Sequence, residues 1–229
     1  VQDRKIRVNM KIRVNIRPRI VVTGFSAFPG APVNPTEGLM AALAASRSDI
    51  IGACDLGLAV LPVEHRRIDG ALAQLGASCA CPDIALHFGL SRKARGFTLE
   101  RQAVNFVEAR ADQAGHVCKA AAISPAHPHV MAASLPLQPL FDTLSARGLP
   151  VSWSHDAGRY LCNYTLFASL AGLVEGWRPK QAAFIHVPSS PDDVQAHDPT
   201  MEREMLLQGA IAIIEHAVQS ASSAVAAPV

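Results

Sequence analysis

The sequence predicts an α/β domain: an open, mainly parallel sheet with helices on both faces. Three observations point there. Short segments of strand character alternate with segments of helical period, at distances that suit strand–helix–strand units. The segment leading the series, Arg19–Thr23, is a short continuous apolar run of the kind buried on both faces of a sheet. Finally, 49% of the 229 residues are apolar and only 17% charged, which is enough to bury a sizeable core. The length suits one large domain, placed over 19–219, with a basic arm at 1–18 and a loose Ala/Ser/Pro tail over 220–229.

The basic arm contains an immediate repeat, Lys5-Ile6-Arg7-Val8-Asn9 and Lys11-Ile12-Arg13-Val14-Asn15, readable as an edge hairpin or as a loose segment. After the strand at Arg19–Thr23 comes a loop, Gly24–Gly30, rich in Gly, Pro and Phe. Asn34-Pro35-Thr36-Glu37 then opens a helix: Asn caps, Pro takes the first helical position, and Glu follows three residues past the cap. That helix is expected to reach Ser46. A strand at Asp55–Leu61, a helix over His65–Leu75 and a strand at Ile84–Gly89 continue the alternation. Thr98–Arg110 has extended character, and residues 111–132 carry turn signals and the histidines His127 and His129, expected in a surface loop. A helix over Leu137–Arg147 closes on Gly148, and Leu149, Val151 and Trp153 form a strand-like segment. The next helix carries Leu166, Leu170, Leu173 and Val174 at spacings of three and four and is expected to end around Gly176. Gln181–Pro188 is an apolar strand, and Asp198-Pro199 caps a last helix over Met201–Val218.

Composition excludes several functions. A formal charge of +2 gives no reason to expect nucleic acid or a membrane as partner. With no apolar run of about twenty residues and no signal peptide with an apolar middle, the expectation is a cytosolic protein. Five cysteines, an odd number, do not read as a disulfide framework. Cys79 and Cys81 are spaced C-x-C without a second pair or a histidine cluster, so no metal is expected, and no motif calls for a cofactor.

The chemistry is placed at Ser154–Tyr164. Gly158 can supply a tight bend after the strand, putting Cys162 in the first turn of the new helix. Unpaired N–H groups and the helix dipole there favour a thiolate and can donate to a developing oxyanion. A base is still needed. His186 stands near the carboxyl end of an apolar strand, where an α/β sheet presents its ligands, and a histidine in so apolar a run requires a hydrogen-bond partner. Glu100 completes a thiol-hydrolase set of nucleophile, imidazole and orienting carboxylate. In the first loop Phe25 and Phe28 are aromatics that pack or bind something apolar.

Four ordered blocks carry a resemblance. Gly24-Phe25 with Phe28 and Asn34-Pro35, then Glu100-Arg101 with Ala103 and Asn105, then Ala157-Gly158 with Leu161-Cys162-Asn163, then Phe184-Ile185-His186-Val187-Pro188, follow one another as in the pyroglutamyl peptidase I (pyrrolidone-carboxylate peptidase) family. The chain resembles that family over about residues 19–215. The resemblance implies a cytosolic cysteine exopeptidase that removes an amino-terminal pyroglutamyl residue through an acyl-enzyme. It further implies a single three-layer α/β/α domain around a mixed, mostly parallel twisted sheet, and assembly of copies into a tetramer. It maps Cys162 as nucleophile, His186 as base and Glu100 as orienting carboxylate. Phe25 and Phe28 become the pair that sandwiches the lactam, Tyr160 and Leu161 further substrate-binding residues, and Arg110 a helper at the oxyanion site.

Three loops depart from the pattern. The family's Asp-Pro-Phe-Gly-Gly is here Ser26-Ala27-Phe28-Pro29-Gly30. Its Gly-x-Ala-x-Gly-Arg is Gly89-Leu90-Ser91-Arg92-Lys93-Ala94-Arg95, and its Asp-Ala-Arg-Ile-Pro-Asp-Asn is reduced to Glu108-Ala109-Arg110-Ala111-Asp112-Gln113. Two alternatives stay open: a thiol amidase with altered substrate choice, and a small-molecule-binding protein with a silent triad. Phosphate binding at the first loop lacks both the glycine pattern and the basic residues.

Overall fold

The computed structural model describes residues 17–46, 52–79, 81–192 and 198–226, so the basic repeat lies outside the described residues. The elements, in order, are β1 (Arg19–Phe25), α1 (Pro35–Ala45), β2 (Asp55–Leu61), α2 (His65–Cys79), β3 (Ile84–Leu90), β4 (Phe97–Glu100), β5 (Gln102–Val104), β6 (Val130–Ala132), α3 (Leu137–Ala146), β7 (Val151–Ser154), α4 (Leu161–Ala171), β8 (Gln181–Val187) and α5 (Arg203–Ala226). Six strands form one sheet in the order β2-β1-β3-β8-β4-β7, and β5 and β6 pair separately. All its neighbours are parallel except β4 and β8, which run antiparallel. The expected mostly parallel, mixed sheet of an α/β domain is what forms.

Side chains alternate across the sheet with a period of two and so divide the core. Ile20, Val22, Ile84, Leu86, Phe88, Leu99, Ile185 and Val187 point to one face, where α1, α3 and α5 supply Leu39, Leu43, Leu140, Leu144, Ile213 and Ile214. Val21, Phe25, Ala85, Ala182 and Phe184 point to the other, against Ile68 and Leu72 of α2 and Leu161, Leu166 and Phe167 of α4. The second face also carries a buried polar chain. His87 Nδ1 meets Thr23 Oγ1 at 2.8 Å, its Nε2 meets Ser169 Oγ at 3.0 Å, and Trp177 Nε1 donates to the same Ser169 oxygen at 2.9 Å. Burial pushes the His87 imidazole down to about 3, so it is neutral here and satisfied on both nitrogens.

Several boundaries differ from the sequence-based expectation, each for a tertiary reason. Gly24 and Phe25 belong to β1, not to the following loop. A Cβ on Gly24 would lie 2.3 Å from the Thr36 carbonyl oxygen, so its absence lets α1 sit on the strand end, where Thr36 Oγ1 accepts the Phe25 N–H at 2.9 Å. The extended piece at 98–110 breaks at Arg101 into β4 and β5, followed by an irregular excursion. α2 runs four residues past Leu75, while α4 stops at Ala171 rather than near Gly176, because Gly172 adopts φ 61, ψ 39 and donates back to Ala168. α5 begins at Arg203 instead of Met201; Asp198 pairs with Arg92 and is no cap. The tail expected to be loose from residue 220 is helical as far as Ala226, with Ala221 packed against the core. No helix among the described residues is long and apolar enough to cross a membrane.

Candidate active site

Cys162 is the second residue of α4, whose N-cap, Tyr160, has extended backbone and makes no side-chain capping bond. The N–H groups of that first turn therefore have no intrahelical partner and no side-chain cap. The bend before it comes from Gly158 (φ 81), whose N–H donates to Asp156 Oδ1 at 3.1 Å. The following residue, Asn163, is fully buried and clamps the chain after β4. Its Oδ1 accepts the Val104 N–H at 2.7 Å, and its Nδ2 donates to the carbonyls of Val104 at 2.8 Å and Phe106 at 3.1 Å. Asn163 thus couples the helix that carries Cys162 to β5, the strand that follows Glu100 in the chain.

His186 and Glu100 meet through strand register. In the antiparallel β4–β8 ladder Thr98 lies opposite His186 and Glu100 opposite Phe184. Residues two apart share a face, so Glu100 and His186 are diagonal neighbours on the face that looks toward α4. His186 Nδ1 donates to Glu100 Oε1 at 2.7 Å, with both residues buried. The sulfur of Cys162 is the ring's other close polar neighbour. Burial alone would push this imidazole down, but Cys162 and Glu100 outweigh it and raise the ring to about 9. Glu100 Oε2 is buried without a hydrogen-bond partner, so the carboxylate charge is answered by the imidazolium.

Glu100 is the last residue of β4 and His186 the last but one of β8, and the two strands run antiparallel.

A cleft of about 990 Å³ opens over this group, lined by each of the residues expected at a catalytic or substrate site: Cys162, His186, Glu100, Phe25, Phe28, Tyr160, Leu161 and Arg110. Phe25 is the end of a strand, only 3% exposed, and its ring tilts against Phe184 at 6.3 Å. Phe28 is held by a tight turn, with Phe28 N–H to the Ala31 carbonyl at 3.0 Å and the reverse bond at 2.7 Å. The loop between is tied to α1, where Glu37 Oε2 accepts the Ala27 N–H at 2.9 Å and Asn34 Nδ2 donates to the Ser26 carbonyl at 3.1 Å. The start of α1 is thus occupied by the protein's own loop. Arg110 lies 4.8 Å over the Tyr160 ring and 3.9 Å from Glu108, on the cleft wall. Burial pushes the Tyr160 phenol up to about 12, and it donates to the Ala111 carbonyl at 3.2 Å. His127 and His129 do not line the cleft; His127 packs edge-on to Phe167.

Gly89 is a site residue that sequence reasoning passed over. It lies beside His186 in the parallel β3–β8 ladder, and a Cβ there would stand 2.7 Å from Phe184 Cζ and 3.1 Å from Cys162 Sγ. In the sequence it stands at a strand end and opens one of the three altered loops. Gly89→Ala is expected to displace the sulfur and lower kcat/KM by about 10- to 100-fold, as small misplacements of reacting groups do. A value within about twofold of the parent in the same assay would mean that the sulfur has room to move.

Comparisons with known proteins agree with one another. A family model described as pyroglutamyl peptidase matches residues 18–222. The pyrrolidone-carboxylate peptidase of Pyrococcus furiosus is 33% identical over 208 residues, covering 88% of this chain and 98% of that protein. That of Thermococcus litoralis is 36% identical over 178 residues, covering 77% and 79%. The solved structure of pyrrolidone carboxyl peptidase from Thermococcus litoralis superposes with a TM-score of 0.80 at 31% identity, covering 90% of this chain and 96% of that one.

Proposed function

Since the chain belongs to the pyroglutamyl peptidase family and is a cysteine-type pyroglutamyl peptidase, we propose that Cys162, His186 and Glu100 carry its chemistry and that Phe25, Phe28 and Leu161 hold the pyroglutamyl ring. The observation that supports this most is the Glu100–His186–Cys162 chain opening onto an aromatic-walled cleft. His186 takes the Cys162 thiol proton as general base, and the thiolate so formed is the nucleophile. It attacks the exocyclic carbonyl of the pyroglutamyl residue, and the uncapped N–H groups at the start of α4 receive the oxyanion. Collapse of the tetrahedral adduct expels the downstream amine, which takes the His186 proton. A water, deprotonated by His186, then attacks the thioester and frees pyroglutamate and the sulfur.

Pyroglutamate is flat, neutral and without a free amine, so apolar and aromatic walls suit it better than a carboxylate would. Tyr160 and Arg110 also line the cleft, stacked on each other, and the guanidinium is assigned the part of helper at the oxyanion site. All five cysteines are free thiols, which fits a reducing compartment such as the cytoplasm, and copies of the chain are proposed to assemble as a tetramer.

The test is hydrolysis of a pyroglutamyl amide of a fluorogenic amine. Turnover is expected, together with a pyroglutamyl thioester on Cys162 trapped at short times. No turnover by folded protein would remove the assignment.

A further inference from the structure

The cleft is much larger than one lactam requires, and its outer part differs in character from its aromatic part. Sheet alternation puts Thr98 and Glu100 of β4 and Ser152 and Ser154 of β7 on the same face as His186. β7 is the edge strand and β4 its neighbour, and here the face is polar: Thr98 Oγ1 meets Ser152 Oγ at 3.1 Å, and Ser152 is exposed. The loop between β3 and β4 brings Arg92, Lys93 and Arg95 to the same cleft and forms part of its rim. That loop is held in place. The Ser91 N–H bonds to the Val187 carbonyl, one residue past the histidine, at 2.9 Å, and the Ala94 N–H bonds to the Ser91 carbonyl at 3.0 Å. Arg92 is consumed structurally, donating to the Gly30 carbonyl at 2.7 Å and pairing with Asp198.

The remaining charges of the cleft pair off. Arg159 is bonded to Asp156, Arg110 stands near Glu108, and Glu100 faces His186. Lys93 and Arg95 also line the cleft, both are exposed, and neither has an ion-pair partner among the described residues. The bond from Ser91 to Val187 ties their loop to the end of β8 that carries His186, the group that gives its proton to the leaving amine.

We propose that Lys93 and Arg95 bind a carboxylate on the part of the substrate downstream of the pyroglutamyl residue, with the Thr98–Ser152 shelf beneath that segment. This rests on the peptidase reading and refines it. The preferred substrates are short pyroglutamyl peptides whose leaving portion is anionic, either through a free carboxyl terminus one residue on or through an acidic side chain. The neutral lactam is selected by the aromatic wall, and the anionic remainder by the rim.

The experiment compares three substrates by release of pyroglutamate: pyroglutamyl-alanine, its amide pyroglutamyl-alaninamide, and the α-amide of pyroglutamyl-glutamate. At low salt the first or third is expected to exceed the neutral amide by about five- to tenfold in kcat/KM, through KM, as two screened charges on one carboxylate allow. The first arm exceeding the second identifies the terminal carboxylate, and the third exceeding it identifies the side chain. The preference should shrink at roughly 1 M salt, where the screening length is about 3 Å. In the Lys93→Ala, Arg95→Ala double variant the ratio between anionic and neutral substrates should fall to about one. Equal kcat/KM for all three in the parent, or a preference that survives in the double variant, overturns the proposal. Cleavage of none of the three would bring down the peptidase reading itself, and this inference with it.

Discussion

Cys162→Ala is expected to lower kcat for pyroglutamyl amides by about 10⁴-fold or more, because the covalent route disappears with the sulfur. What remains would be binding and the donors at the start of α4, which stabilise an oxyanion but supply no nucleophile. The variant should fold as the parent does. Cys162 is only partly buried, and the loss of one sulfur leaves Asn163, with its three bonds to Val104 and Phe106, in place. Parent and variant are compared by single-turnover kinetics, with circular dichroism to check the fold. A kcat within about tenfold of the parent would move the nucleophile elsewhere, and each of the other four thiols could then be tested by the same substitution.

Glu100→Gln should produce the second largest loss, about 10²- to 10⁴-fold in kcat/KM at neutral pH, with the shape of the active site kept. The carboxylate is buried, has one oxygen on His186 Nδ1 and the other on nothing, and so acts almost entirely through the imidazolium. A neutral amide removes that charge and can present the wrong group to Nδ1. The pH profile separates this from simple damage. The imidazolium of the parent persists until the pH passes about 9, so the alkaline limb of kcat/KM belongs near that value, well above an ordinary imidazole at about 6.5. Without the carboxylate the limb should move down. Stability follows the same sign: the contribution of the charged ring is full below about 6.5, and fades as the pH rises through about 9. An unmoved alkaline limb with a loss under threefold would reduce Glu100 to packing.

The local signals of this chain were strong where one segment suffices to decide a structure. Asn34 and Pro35 predicted the start of α1, and the Asn34 side chain does accept the Thr36 N–H at 3.1 Å. Gly158 followed by an apolar period of three and four predicted a helix beginning just before Cys162, which is where α4 begins. Errors gathered where a distant partner decides. The ends of β1 and α4 depended on Thr36 and on the turn at Gly172, and the buried chain through Thr23, His87, Ser169 and Trp177 joins three elements that no spacing connects.

By itself the sequence determined the order of strands and helices, the placement of a cysteine at a helix mouth and a histidine at a strand end, and the chemical types a thiol hydrolase requires. Those follow from short-range rules: capping, turn conformation and the period of apolar residues. Only the tertiary structure decided that β4 runs against β8, which sets Glu100 diagonally beside His186, and that Gly89 leaves space for the sulfur. It alone also decided that Lys93 and Arg95 line the cleft with no ion-pair partner among the described residues. Strand direction and pairing arise from contacts between residues far apart in the chain, and the alternation along one strand is the same whichever way its neighbour runs.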